Sequence, residues 1–368
     1  MTAALDPGFW SGRRVLVTGH TGFKGSWLSL WLQRLGAQPA GFSDGVPTDP
    51  ALFDVAHIGD GMADERGDVR DLERLLEVLG THRPEIVLHL AAQPIVRAGF
   101  EDPLGTFATN VMGTANLLEA VRRTGTARVV VNVTTDKVYE NREWEWPYRE
   151  NEPLGGHDPY AASKACSEIV TSAFRRSFFV PDGTCAVASA RAGNVIGGGD
   201  WARDRLVPDL VRGALEDRPV PIRNAGAIRP WQHVLNPLLG YLLLAQRLWS
   251  EPELAQGWNF GPDAADDLPV REVADRLCAA WGPGLRWEGD RGGHTHEAGL
   301  LRLDSSLARA RLGWAPRWGL DEALQSIVAF ARGHAAGEDA RALMDGQLAA
   351  FEAGAPPPRA LPGATPGG

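Results

Sequence analysis

"RRVLVTGHTGFKGSWLSLWLQRLG", residues 13–36, decides the fold. The β-branched run RRVLVTG (13–19) reads as a buried strand that ends in glycine. KGSWLSLWLQRLG (24–36) follows at once, with Leu28, Trp31, Leu32 and Leu35 at helical spacing and Gly36 as the stop. Between the two, Gly19, Gly22 and Gly25 make a G-x-x-G-x-x-G turn that also carries Thr21 and Phe23. Such a turn lets main-chain N–H groups and the helix N-terminus approach a pyrophosphate. The stretch predicts a dinucleotide site; the plain alternative is a tight turn with no ligand.

The alternation continues along the chain. QPAGFS (38–43), EIVLHLAA (85–92), ARVVVNVTT (127–135) and CAVASAR (185–191) read as strands, and 71–84, 109–125 and 158–179 as helices. This order predicts an α/β fold, a Rossmann-type doubly wound parallel sheet covered on both faces. After residue 192 glycine, proline, arginine and tryptophan cluster in GNVIGGGDWARDR and NAGAIRPWQH, with helices expected over 206–216, 234–249, 269–281 and 320–335. The expected organisation is an NAD-binding domain over 1–190, with 234–262 returning to it, and a smaller, mostly C-terminal substrate-binding lobe over 191–345. The Pro/Gly-rich tail 353–368 reads as disordered.

A net charge of −9 argues against a nucleic-acid surface. No apolar run approaches the roughly 18–20 residues of a membrane span, and the N-terminus lacks the order of a signal peptide. Cys166, Cys185 and Cys278 are too few and too scattered for a disulfide framework or a metal cluster, and suit a reducing cytoplasm. Trp144, Trp146, Trp201 and Trp231 lie in polar or Pro/Gly-rich contexts, as pocket lining or as core and lid filler.

AGFSDGVPTDP (40–50) holds no Lys or Arg to meet a 2′-phosphate, which favours NAD over NADP. Asp44 is either a ribose ligand or a loop residue. GDVRD (67–71) offers Asp68 and Val69 for the adenine end, and Leu90, Ala91 and Ala92 close the expected cofactor wall.

VTTDKVY (133–139) crowds Thr135, Asp136 and Lys137 where a strand ends. YAASK then places Tyr160 and Lys164 on one helical face. A free tyrosine titrates near roughly 10, and a nearby cation favours its phenolate. Lys164 and an oxidised nicotinamide are expected to lower Tyr160 in this way. Tyr160 could then take a proton from a sugar hydroxyl while hydride leaves to NAD, with Thr135 orienting that hydroxyl.

On these stretches, together with HLAAQP (89–94), TNVMGT (109–114), GGHDPYAASK (155–164), RAGNVIGGGDWA (191–202) and RPWQHV (229–234), the chain resembles the extended short-chain dehydrogenases/reductases that act on nucleotide sugars. More narrowly it resembles the CDP-glucose 4,6-dehydratases, from roughly residue 12 to 335. The resemblance implies a hydro-lyase that converts CDP-glucose to CDP-4-keto-6-deoxyglucose by moving a hydride from C4 to C6 through NAD. It implies Asp136 as the acid at C6. Lys137 stands where dTDP-glucose dehydratases carry a glutamate base; it either removes the C5 proton or positions the sugar. It further implies Gln93 at the sugar, Asn194 at the diphosphate, and a homodimer or homotetramer built on helices near 104–124 and 158–178. Arg205, Arg223 and Arg229 have the type to clamp phosphates, and His233 joins them as a substrate contact. Val138, Ala161, Ala162 and Ile228 depart from the expected pattern without removing a catalytic group. Another NDP-sugar 4,6-dehydratase, a nucleotide-sugar 4-epimerase or reductase, and an idle NAD-binding protein are the competing readings. An epimerase needs Thr, Tyr and Lys, but no acid–base pair after the threonine.

Overall fold

The computed structural model describes residues 4–180, 183–290 and 298–359. Its centre is a seven-stranded parallel sheet: β1 (Arg14–Thr18), β2 (Gln38–Ser43), β3 (Ala63–Arg66), β4 (Ile86–His89), β5 (Val129–Val133), β6 (Ala186–Arg191) and β7 (Gly257–Asn259). The order is β7-β6-β5-β4-β1-β2-β3, so the chain reverses direction across the sheet between β1 and β4. That switch point is where open α/β sheets bind ligands, outside the strands' carboxyl ends.

Helices of ten or more residues are α1 (Phe23–Arg34), α2 (Leu72–His82), α3 (Gly113–Thr124), α4 (Pro159–Phe174), α5 (Leu206–Leu215), α6 (Leu235–Leu248), α7 (Val270–Trp281), α8 (Leu320–Ala335) and α9 (Ala340–Glu352). Alternate residues of each central strand feed opposite cores. Val15, Val17, Leu88 and Val131 face α1 and α6, with Trp27, Trp31, Trp258 and Trp314. Leu16, Val87, Val130 and Val187 face α2 and α3. The α6 stretch LNPLLGYLLLAQRL is buried almost all round, because it lies between the sheet and the C-terminal helices. α5, α7 and the start of α8 enclose a separate core around Trp231 and Trp281.

Two strands carry no sequence signal. β3, ADER, alternates exposed and half-buried residues at the end of the sheet. β7 is only GWN, brought beside β6 from far along the chain. α6 and β7 thus put 234–262 on the sheet, and α9 returns Met344, Leu348 and Phe351 to the same core. Of the expected disordered tail, 360–368 lie outside the described residues. The segment 353–359 is mostly exposed but anchored at two points: the carbonyl of Ala355 accepts from Trp318 Nε1 at 2.8 Å, and Pro357 is buried. Trp201 rests on Phe330 and His334, and Trp146 is exposed beyond a stack of Trp144 on Tyr148.

A buried polar chain ties the strand ends together. Thr18 Oγ1 accepts from the Ala91 N–H at 3.2 Å and sits 2.6 Å from His89 Nδ1. His89 Nε2 lies 3.2 Å from Thr114 Oγ1, which bonds Ser167; Ser167 accepts from Asn132 on β5. Burial, helped by the charge of Lys164, pulls His89 down to about 3. Burial does the same to His233, which is wedged between Trp27 and Trp318.

Both rings stay neutral in the fold, while the unfolded chain takes up their protons near pH 6.5. Their contribution is therefore complete above pH 6.5 and lost as pH falls toward 3, at about 1.4 kcal/mol per unit per ring. Urea denaturation at pH 7 and pH 5 should show a loss of about 2 kcal/mol for each ring, and His233→Gln should remove one of the two shares.

Candidate active site

The glycine turn is fixed by backbone contacts. Gly19 has φ +74, and a Cβ there would lie 2.7 Å from the Ala91 nitrogen. A Cβ on Gly25 would lie 2.1 Å from the Gly19 oxygen. Gly22 differs: its nearest neighbour would be the Gly19 oxygen at 3.4 Å, so packing alone does not demand glycine there. Gly22 also begins α1 without a side-chain cap, leaving the first N–H groups of the helix directed outward. An open helix start beneath an uncrowded glycine fits a dinucleotide pyrophosphate. Thr21 Oγ1 donates to the Gly45 carbonyl at 2.5 Å and anchors the next loop, and Phe23 packs beside Gly197.

Of the residues expected toward adenine and ribose, Asp44 is exposed past β2. Asp68 is occupied by Arg70, with its carboxyl held below the usual range by that bond. Val69 is buried against Gly113. Leu90, Ala91 and Ala92 form the half-buried wall after β4. His20, missed in the sequence, occupies the space left by Gly41 and bonds Asp64 at 2.8 Å and Ser43 at 3.0 Å.

The five proposed catalytic side chains come from two elements. β5 is followed by Thr134, Thr135 and Asp136, all buried, and then by half-buried Lys137. Thr135 Oγ1 donates to Asp136 Oδ1 at 2.9 Å. Among the described residues Lys137 forms no ion pair, with Asp136 or any other group. Asp158 caps α4 by accepting from the Ala161 N–H at 2.8 Å, which starts the helix that carries Tyr160 and Lys164. Lys164 Nζ donates to the Val133 carbonyl at 3.0 Å, locking α4 to the strand end.

Electrostatics qualify one expectation. The Tyr160 phenol lies above, not below, its usual value in the protein. Burial pushes the Tyr160 phenol up to about 12; the Thr135 hydroxyl beside it opposes the rise, Asp136 adds to it, and Arg205 opposes it. Lys164 is itself brought down to about 8 by burial, against the pull of Glu168. Glu168 lies one turn farther along α4 and pairs with buried Arg191 at 2.9 Å.

Lys24 was missed although it lies in the glycine turn. Burial, then the charges of Arg205 and Lys164, bring it down to about 8, while Asp136 and Asp200 oppose them. It therefore projects into the same cleft. Asp267, pushed up to about 7 by burial, also feels Asp136, and its partner is Arg302 at 3.7 Å. Asn110, in the quoted TNVMGT, holds the Gln93 main chain and donates to Ser163 beside Lys164.

The expected substrate contacts divide. Arg205, paired with Asp200 at 3.0 Å, is in the cleft. Arg223 and Arg97 share Asp204, bridging the lobe and the segment after β4. Asn194 is held at φ 31, one residue after the Gly193 that lies against the Asp136 carboxylate. Gln93 turns inward, donating to Thr106 and accepting from the Ile95 N–H. Arg229 is buried and directs donors to the carbonyls of Ile228 and Ala298. His233 is corrected: it faces the tryptophan core rather than the cleft.

With this geometry in hand, residues 16–248 match the family model described as GDP-mannose 4,6 dehydratase. The chain belongs to this family. A relative from Salmonella typhimurium named CDP-glucose 4,6-dehydratase is 52% identical over 340 residues, covering 91% of this chain and 95% of that one. Among solved structures, Thermus thermophilus UDP-glucose 4-epimerase in complex with NAD superposes with a TM-score of 0.75 at 28% identity, covering 87% of this chain and 99% of that one. The dTDP-glucose 4,6-dehydratase DesIV of Streptomyces venezuelae, with NAD bound, gives 0.75 at 25% identity, covering 89% and 99%. No helix among the described residues is long and apolar enough to cross a membrane, and no group of three or more metal-binding side chains occurs among them.

The glycine contacts give a graded expectation. Gly19→Ala should destabilise the fold by about 1–3 kcal/mol through its positive φ alone. Gly22→Ala should melt near the native temperature but bind NAD about tenfold more weakly in a fluorescence titration.

Proposed function

We propose that this chain is an NAD-dependent hydro-lyase that converts CDP-glucose to CDP-4-keto-6-deoxyglucose and water. The observation that carries the reading is the Thr135–Asp136–Lys137 strand end lying against Tyr160 and Lys164. An epimerase has no use for the acid–base pair. The cytidine assignment is supported by the relative at 52% identity, and NAD by the dehydratase and epimerase structures that contain it.

The glycine turn would hold NAD, which would supply the hydride chemistry, taking hydride from C4 and giving it back at C6 with no net consumption. The side chains move the protons. Tyr160 removes the 4-hydroxyl proton, and Thr135 orients that hydroxyl. Because burial holds the phenol high, the reaction needs positive charge beside it, which Lys164 and the oxidised nicotinamide supply. The C4 ketone acidifies C5–H, and Lys137 takes that proton and gives it back to C5 when hydride reaches C6. Asp136 protonates the 6-hydroxyl as it leaves as water. Arg205 and Asn194 face the diphosphate, and Arg223 and Arg229 hold the lobe around it.

Incubation with NDP-glucoses and NAD should release water, read as a mass loss, preferentially from CDP-glucose. No loss, or preference for another nucleotide, would overturn the substrate assignment. Asp136→Asn and Lys137→Met should lower turnover by about 10²–10⁴-fold while sparing C4 oxidation, whereas Tyr160→Phe should block oxidation itself. Near-normal dehydration by both of the first two variants would remove the acid–base assignment.

The chain works as a homodimer. Leu104, Met112 and Ile169, on segments 103–112 and α4, stand 81%, 54% and 57% exposed, an apolar surface for which a second copy is the fitting cover. Cys166, Cys185 and Cys278 are unpaired, in keeping with a cytoplasmic setting. Light scattering should give a dimer mass for the native chain and a monomer mass for Leu104→Glu combined with Ile169→Glu.

A further inference from the structure

Asp136 is held by little. Its Oδ1 accepts the Thr135 hydroxyl, but Oδ2 is buried and has no hydrogen-bond partner among the described residues. What lies against Oδ2 is the bare Cα of Gly193. A Cβ on that glycine would come 2.0 Å from Asp136 Oδ2 and 2.4 Å from its Cγ, with no closer contact to any other residue. Real Cβ atoms do not approach this closely, so one of the two must move.

Backbone conformation does not explain the glycine. Gly193 is absent from the positive-φ glycines, so its φ/ψ is open to any residue. The surrounding main chain is also pinned. The Arg191 carbonyl accepts from the Phe260 N–H at 2.8 Å, and the Asn194 carbonyl accepts from the Gln232 N–H at 3.3 Å. Val195–Ile196 pairs in parallel with Gln232–His233, and Asn194 keeps a left-handed φ of 31. The carboxylate, tethered by one hydrogen bond, is the part free to give way.

We infer that Gly193 is a positioning residue: the room left by its missing side chain holds the Asp136 carboxylate in the orientation needed to protonate the 6-hydroxyl. This rests on the reading of Asp136 as the acid of a 4,6-dehydratase. It adds a requirement that the acid's chemistry does not state, namely a neighbour with no Cβ. Thr135, which orients the 4-hydroxyl, bonds the opposite carboxylate oxygen, Oδ1, so C4 oxidation should survive a change at 193 better than elimination does.

The test is Gly193→Ala with CDP-glucose and NAD. A misplacement of about 1 Å should lower kcat for water release about 100-fold, with KM nearly unchanged. Enzyme-bound NADH absorbance should build up in single turnover, because oxidation continues while elimination stalls. Turnover near the native rate would overturn the inference, as would an equal loss of oxidation and elimination at an unchanged melting temperature. Should the variant fold poorly, melting temperatures settle the matter. The Gly193→Ala penalty should largely vanish in an Asp136→Ala background, and an equal penalty in both backgrounds would overturn the inference. If the native chain itself releases no water from CDP-glucose, the functional reading fails, and this inference falls with it.

Discussion

The hydrogen bond from Lys164 to the Val133 carbonyl is the contact on which the site depends. It joins a helix to the last residue of a strand, just before that strand turns polar. Burying an ammonium costs free energy unless something offsets it, and here the offset runs along α4. Tyr160, Lys164 and Glu168 are spaced four apart, so they form one stripe that faces β5 and β6. Glu168 balances Lys164 and is in turn gripped by Arg191 and Thr134. Breaking a buried pair of this kind typically costs about 3–5 kcal/mol. The stripe is therefore both a hinge pin for the helix and the scaffold that aims the phenol.

The cleft gathers fixed charges of both signs. Lys24, Lys164 and Arg205 converge on a region that also holds Asp136 and Asp200. Tyr160 stays protonated in the protein alone because burial outweighs its polar neighbours. Fixed charges of this sort stabilise charge as it develops and need no rearrangement during reaction.

Much of the chemistry was legible because it is local. Thr135, Asp136 and Lys137 are consecutive, Tyr160 and Lys164 are one helical turn apart, and the glycine turn spans seven residues. Five strands were legible as short, mostly apolar runs because each is buried on both faces. β3 escaped because its charged residues face solvent at the sheet edge, and β7 because three residues carry no period. His233 misled because residue type does not say which way a side chain turns. A histidine between two tryptophans and a histidine in a cleft share the same letter. Lys24 escaped for the opposite reason, since a glycine turn is read for its glycines.

The last strand of the sheet has a temporal meaning. β6 is complete at Arg191, but its neighbour β7 does not exist until Asn259 has been made. On the ribosome, chains emerge from the N-terminus at a finite rate, and their domains tend to fold as they appear. Throughout that interval the nascent sheet presents β6 as an open edge, with the Arg191–Glu168 pair uncovered where Gly257 will later press against it. The order of synthesis thus leaves a window in which this otherwise well-covered sheet is open to the wrong strand.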